Sequence, residues 1–307
     1  MSLAPRFLLR KNGLGISLRP SILSVAGKAL SRHAHPNRRF SSLSQPPSES
    51  TVSVDVVIIG AGQAGLSVAY HLHRQGNVRY VVIDSNDAPG GAWRHRWPSL
   101  TLFSTRKWSS LPGHPMFSSA EEAEGYPTTQ EMVWYLEDYE EAMKFNIIRP
   151  IEVTRVTRNP SPPSLSPSLP CSHGNLVVET TNRVGGASGR FECKAVVSAT
   201  GTHSAPVWPR LPGWENFEGI QIHSSQYRHA DEFRGKRVVV VGAGNSAAQI
   251  LAEVSSPGEA LSTLWAVDRA PNFLPETMTG KDIFDTGEGP WGGMCWVGPT
   301  LCYKSIF

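Results

Sequence analysis

Acidic residues are missing from the start of this 307-residue chain, the first being Glu49. Cysteine is scarce: Cys171, Cys193, Cys295 and Cys302 are the four present, and no two are spaced C-x-x-C. That excludes a disulfide scaffold and argues against a paired zinc or dithiol site, so no metal centre is expected. No apolar run approaches the ~18 residues a membrane-spanning helix requires, so no transmembrane segment is expected. Charged residues make up 18% against 40% hydrophobic, a globular composition, and the length favours two domains. The net charge of +3 conceals an asymmetry. Arg6, Arg10, Lys11, Arg19, Lys28, Arg32, Arg38 and Arg39 stand in the acid-free start, so the remaining chain is net acidic. Such a body has no electrostatic reason to bind nucleic acid.

An Arg- and Ser-rich leader without acids has the composition of an organelle-targeting presequence. Arg38-Arg39-Phe40-Ser41 resembles a mitochondrial processing site with cleavage before Ser41, so a mitochondrial location is expected, with a cytoplasmic one as the alternative. Residues 1–51 are read as presequence and linker, residues 52–206 and 207–307 as two domains. The Ser- and Pro-rich stretch at residues 159–172 reads as a surface loop, because proline denies a sheet its N–H donors. Strand-like runs at Val54–Ile59, Tyr80–Ile83, Leu176–Thr180, Ala195–Ser198, Arg237–Val241 and Thr263–Val267 alternate with helical stretches. Continuous Val/Ile runs suit parallel strands covered on both faces, hence an α/β fold with two Rossmann-like dinucleotide-binding domains.

Val56-Val57-Ile58-Ile59 runs into Gly60-Ala61-Gly62-Gln63-Ala64-Gly65 and then a helical stretch ending at Gly76. This is strand, G-x-G-x-x-G, helix. Gly60 permits a tight turn, Gly62 lets a pyrophosphate approach the backbone, and Gly65 lets the helix sit close to the sheet. The helix N-terminus offers N–H groups and partial positive charge to phosphates. The next strand finishes at Asp84, 24 residues beyond Gly60, where a carboxylate can accept ribose hydroxyls. The arrangement recurs: Arg237–Val241 precedes Gly242-Ala243-Gly244-Asn245-Ser246-Ala247, with Ala247 where the third glycine would stand. The following strand ends at Asp268-Arg269. Asp268 would suit a ribose diol and NAD, Arg269 a 2′-phosphate and NADP; NADP is the preferred choice. Two cradles imply two dinucleotides, one holding FAD and the other bringing hydride as NADPH.

Further motifs give the chain a family likeness. Phe217-Glu218-Gly219-Ile220-Gln221-Ile222-His223-Ser224-Ser225-Gln226-Tyr227 fits F-x-G-x-x-x-H-x-x-x-(Y/F/W), Ala199-Thr200-Gly201 reads as an A-T-G linker strand, and Gly90-Gly91-Ala92-Trp93 follows the first acid. With these the chain resembles the flavin-containing monooxygenases, the class B flavoprotein oxygenases, over about residues 53–300. The stretch Gly90 to Met116 is most similar to the CzcO-like group that includes arsenical-resistance flavin monooxygenases. The resemblance implies an FAD- and NADPH-dependent enzyme that moves one oxygen atom of O₂, by way of a flavin C4a-hydroperoxide, onto a small molecule at an N, S, As or carbonyl centre. It implies flavin contacts at Gly91, Trp93 and Ser104, a backbone contact to adenine at Val156, and cofactor contacts at Thr200 and Gly201. His223 and Asn245 are the candidate catalytic residues, although for His223 a hinge that helps seat NADP is the preferred reading over proton handling. Phe217 and Tyr227 are expected to pack, and Trp108 to be either a flavin neighbour or core.

Only 38 residues follow Arg269, whereas the family returns to its first domain with a closing strand and helix. The second domain is therefore expected to be incomplete, with activity in question. The competing readings are a flavin-dependent NAD(P)H reductase or quinone oxidoreductase and a truncated inactive paralogue. A dithiol reductase is argued against by the absence of cysteine from residues 53–150.

Overall fold

The computed structural model describes residues 51–158, 176–210 and 212–268, together with two short strands at 294–297 and 301–304. The basic leader, the Ser/Pro stretch and Arg269 lie outside the described residues. In chain order the elements are β1 (Thr51–Ser53), β2 (Val56–Ile59), α1 (Gln63–Gln75), β3 (Tyr80–Ile83), a 3₁₀ turn at Gly91–His95, α2 (Arg106–Ser109), α3 (Ala120–Ala123) and α4 (Thr129–Met143). They continue as β4 (Ile147–Ile148), β5 (Ile151–Arg158), β6 (Leu176–Asn182), β7 (Ser188–Cys193), β8 (Ala195–Ser198), β9 (Arg237–Val241), α5 (Asn245–Val254), β10 (Ser262–Ala266), β11 (Met294–Val297) and β12 (Leu301–Lys304).

The first body is a four-stranded parallel sheet in the order β4-β3-β2-β8. Its apolar strands are sorted by the two-residue period of a pleated chain. Ile58, Tyr80 and Val82 face a cluster with Leu66 and Ala69 of α1 and Met132, Leu136 and Tyr139 of α4. Val57, Val81 and Ile83 face the opposite way, against Val178, Phe191 and Ile151 of a second sheet ordered β1-β7-β6-β5. Burial on both faces is why these strands are continuously apolar. Asp55 pins the near ends of three strands: it accepts from the Arg79 N–H at 3.0 Å and pairs with Lys194 at 2.9 Å. The Lys194 hydrogen bond and the Arg79 N–H hold its carboxyl down at about 2.

Local chemistry sets the helix ends. Thr128 N-caps α4, its hydroxyl accepting from Glu131 N–H while the Glu131 carboxylate accepts from the Thr128 N–H, a reciprocal capping box. Gly76, at φ 70°, closes α1 in the left-handed region.

The second body pairs β9 with β10 in parallel, and α5 packs alongside. Ile250 and Val254 of α5 join Trp97, Leu100, Tyr227 and Ala230 in a buried cluster. Trp97 meets Tyr227 edge-on at 5.8 Å. Ser99 Oγ donates to Glu253 at 2.6 Å and Gln249 Nε2 donates to the Thr101 carbonyl at 3.2 Å, so the segment after the Gly90-Gly91 turn is the seat of α5.

Two expectations need correcting, and a third is narrowed to one of its alternatives. The Val run of β9 is covered on one face only among the described residues, with Val239 57% and Val241 64% exposed. Phe217 does not pack into a core; it is exposed and lies over Gly219, whereas Tyr227 is fully buried. Trp108 is also exposed, with the Lys107 ammonium 5.1 Å from its ring centroid, so it is not core.

Trp97 is 1% exposed, so truncation should leave a cavity between the two bodies. Trp97→Ala is expected to cost about 3–5 kcal/mol, read from the shift of the urea midpoint. A loss below about 1 kcal/mol would show that the cluster is not packed in solution.

Candidate functional site

The first glycine turn is built by close approach. Gly60 has φ 102°, and a Cβ there would strike the Ala199 carbonyl oxygen. A Cβ on Gly65 would run into the carbonyl oxygen of Gly60 itself, so only glycine lets α1 start this close to β2. At Gly62 no atom of the described residues stands within 4 Å of a Cβ, which leaves open space among them over the backbone. The turn is tied to the sheet by Gly60 N–H donating to the Ile83 carbonyl at 2.8 Å and by Ala199 N–H donating to Ile59 at 2.9 Å.

Other predicted residues converge on this turn. Gly91, at φ 51°, presses on Gly62, since a Cβ there would lie 3.0 Å from the Gly62 Cα. The Trp93 indole donates to Gln63 Oε1 at 3.2 Å. The Gly91–His95 turn is thus a flap folded against the N-terminus of α1, with Ala64 exposed beside it. Thr200 and Gly201 are exposed at the end of β8, following the Ala199 that touches Gly60. Ser104 is half-buried and bonded to Ser109 at 2.8 Å.

Val156 stands further along β5, exposed. Ile151 N–H donates to the Asp84 carbonyl, so the strand enters beside the turn. Val156 lies five residues further along β5, about 16 Å at the usual strand rise, and pairs with Val178.

Asp84 is not a free acid at a strand tip. Its carboxylate accepts from Arg149 Nε at 2.9 Å and from Asn86 Nδ2 at 3.2 Å, and the residue is 4% exposed. Arg149 was missed in the sequence because a basic residue before a proline carries no spacing signal.

The second turn repeats the first with looser packing. Gly242 has φ 111° and its N–H donates to the Ala266 carbonyl at 2.9 Å, while Trp265 Nε1 donates to the Gly242 carbonyl at 2.8 Å. Among the described residues no atom lies within 4 Å of a Cβ on Gly242 or Gly244, and Ala247 stands where the third glycine would be. Ser246 and Ala247 are half-buried in the first turn of α5. Among the described residues Asn245 Oδ1 is buried and has no hydrogen-bond partner. Neither α1 nor α5 has a side-chain cap or an acid in its first turn, in contrast to α4 and α3. Both N-termini therefore keep their positive end of the helix dipole undiminished.

His223 is wound into its own turn. Its Nδ1 accepts from the Ser225 N–H at 3.2 Å, its N–H donates to Gln226 Oε1 at 3.0 Å, and Gln226 N–H returns to its carbonyl at 2.8 Å. Trp208 lies 6.1 Å away. Nearby, His95 and His203 stack at 5.9 Å. Burial, then the charges of Arg96, His95, Arg228 and His223, push the His203 imidazole down to about 4. This cationic group was not foreseen either; its members come from three separate loops.

Comparison with known proteins agrees with this architecture. The family described as FMO-like, flavin-binding monooxygenase-like, matches residues 53–267. The chain is 33% identical over 231 residues to a CzcO-like oxidoreductase of Geobacillus kaustophilus, covering 75% of this chain and 59% of that protein. It is similar in structure to the flavin-containing monooxygenase from Stenotrophomonas maltophilia, at 40% identity and TM-score 0.64 over 76% of this chain and 64% of that one. A cyclohexanone monooxygenase is 26% identical with TM-score 0.52, covering 73% of this chain and 39% of that one. The chain thus spans less than two thirds of the length of these relatives.

Two outcomes follow from the geometry. Gly62→Ala should leave the thermal midpoint of the nucleotide-free protein within a few degrees while abolishing dinucleotide uptake, whereas Gly65→Ala should destabilise the fold itself. Equal behaviour of the two variants in melting and titration would contradict the assignment. His203 should stay neutral down to about pH 5, read by NMR titration. Its folded value lies below the ordinary ~6.5, so the unfolded chain binds the extra proton and this group's contribution to stability falls as pH drops from about 6.5 to 4. A midpoint near 6.5 in the folded protein would refute the burial argument.

Proposed function

The chain belongs to the flavin-binding monooxygenase-like family, and on that premise we propose that it is an FAD- and NADPH-dependent monooxygenase acting on a small molecule. One observation carries the reading: a single chain presents two strand–glycine–helix turns, each opening onto an uncapped helix N-terminus. The first fits FAD. Space over Gly62 suits a pyrophosphate, the N-terminus of α1 supplies donors, and Asp84 stands where an adenosine ribose would need an acceptor. Gly91 and Trp93 would wall the flavin side and keep water from it. The second turn fits the nicotinamide nucleotide. There the orphaned Asn245 Oδ1 calls for a donor, since a buried unpaired acceptor costs about 1–3 kcal/mol. Bound flavin supplies the redox chemistry that accepts hydride and activates O₂.

His223 spends its Nδ1 and its backbone on its own turn, which favours the hinge role over proton handling. Cationic Arg96 and Arg228 suit the phosphates of a nucleotide spanning the two turns. Oxygen would pass to a nucleophilic N, S or As centre or to a carbonyl, and the carbonyl option gains from the likeness to a cyclohexanone monooxygenase. Preference for NADPH rests on Arg269, outside the described residues. The acid-free leader supports mitochondrial import, also outside them.

The test is direct. Purified protein should be yellow, and NADPH oxidation should rise with a substrate drawn from amines, sulfides, arsenicals and ketones, with oxygenated product. Folded protein that takes up no flavin would overturn the proposal. Anaerobic quinone reduction without oxygenation would transfer it to the reductase class.

A further inference from the structure

Beyond the end of β3, three charged side chains from three separate elements pack together. Arg149, between β4 and β5, donates from Nε to Asp84 Oδ2 at 2.9 Å. Its Nη1 and Nη2 form a two-pronged fork onto Glu140 of α4, at 2.7 Å each. Side-chain exposure is 5% for Asp84, 9% for Glu140 and 14% for Arg149. Burial pushes the Glu140 carboxyl up, against the pull of Arg149. Backbone bonds stitch the same place: Asp84 N–H donates to Ile148, and Ile151 N–H to Asp84.

Stability alone does not account for this cluster. Two carboxylates around one guanidinium leave a net negative charge where desolvation is expensive, and apolar residues of similar volume hold such sites at least as well. What the cluster does provide is a carboxylate with no freedom to turn. Asp84 Oδ2 is held by Arg149 and Oδ1 by Asn86, so each oxygen retains a lone pair in a set direction. Two neighbouring fixed acceptors match a vicinal diol. Gly60, whose N–H bonds the carbonyl of the preceding Ile83, places the first glycine turn alongside.

We propose that Arg149 is a positioning residue for adenosine recognition: clamped by Glu140, it sets the Asp84 carboxylate to receive the ribose 2′- and 3′-hydroxyls of the dinucleotide in the first turn. This rests on the reading of that turn as the FAD site. The clamp connects α4, the β4–β5 turn and β3, so the adenosine end is held by the scaffold rather than by a loop.

The experiment uses the full chain freed of flavin, titrated with FAD and with FMN, which lacks the adenosine, by flavin fluorescence. Arg149→Met, which keeps the aliphatic stem, should weaken FAD about ten- to a hundredfold, the worth of one charge-assisted hydrogen bond, and leave FMN within twofold. In an Asp84→Asn background the same substitution should add less than threefold, since its route of action is already cut. Glu140→Gln, which spares the Asp84 contact, should give a smaller loss in the same FAD-selective sense and serves if Arg149→Met fails to fold. Equal losses for FAD and FMN, additive losses in the Asp84→Asn background, or unchanged FAD affinity would overturn the proposal and leave Arg149 as scaffold. Folded wild-type protein that binds neither flavin would overturn the cofactor reading and this one with it, which is distinguishable from a wild type that binds FAD as tightly as the Arg149 variant.

Discussion

The contact on which the site depends is the one between the backbone at Gly65 and the carbonyl of Gly60. Because neither partner is a side chain, nothing there can relax, and α1 takes its position against the sheet from it. That position brings Leu66 and Ala69 onto Ile58 and Val82, and so fixes the larger core cluster. It also aims an uncapped helix N-terminus at the space over Gly62, and it places Gln63 where the Trp93 indole can bond it. Packing and the candidate binding surface therefore share one constraint. A substitution that relieved crowding at Gly65 would shift the surface and the core together.

Elements defined by local chemistry were readable in advance. Val56–Ile59 and Tyr80–Ile83 came through because their runs are apolar on both faces, and both faces are buried. The capping box at Thr128 has a local signal of the same kind, a threonine followed three residues later by Glu131. The β7 strand Ser188–Cys193 was missed, since Ser-Gly-Arg offers no apolar period and the strand is held by pairing with β6 and β1. Val239 and Val241 show the limit of a continuous-run argument. The run predicts a strand correctly but cannot say what covers it, and among the described residues one face of β9 stays open.

Site residues divide along the same line. The glycines were legible because their absence of a side chain is itself the signal, and a Cβ placed at Gly60, Gly65 or Gly91 meets a close neighbour. Arg149, Arg96 and His203 were not, because each acts through partners distant in the chain. For Val156, family likeness names a strand, and the register along it depends on the pairing of β5 with β6, including the irregularity between Val153 and Arg155. Spacing from a motif weakens as a guide once a bulge intervenes.

Taken together, the charges around the two turns have an order. At the far end of the first turn the cluster is acidic, with Asp84 and Glu140 sharing one guanidinium. The turns themselves present backbone dipoles of positive sign. Where the Trp97–Tyr227 contact joins the bodies, the groups are cationic, and burial, then those charges, holds His203 toward the neutral form. A dinucleotide is polar in the matching sense, with neutral hydroxyls on its ribose and negative charge on its phosphates. On the proposed reading, hydroxyl donors would meet carboxylates, and phosphates would meet dipoles and guanidinium groups. Reversing the ligand would set phosphate against Asp84 and Glu140, a repulsion in a poorly solvated place. Orientation of the nucleotide would then follow from the distribution of charge along the sheet edge, with no need for a base-specific contact.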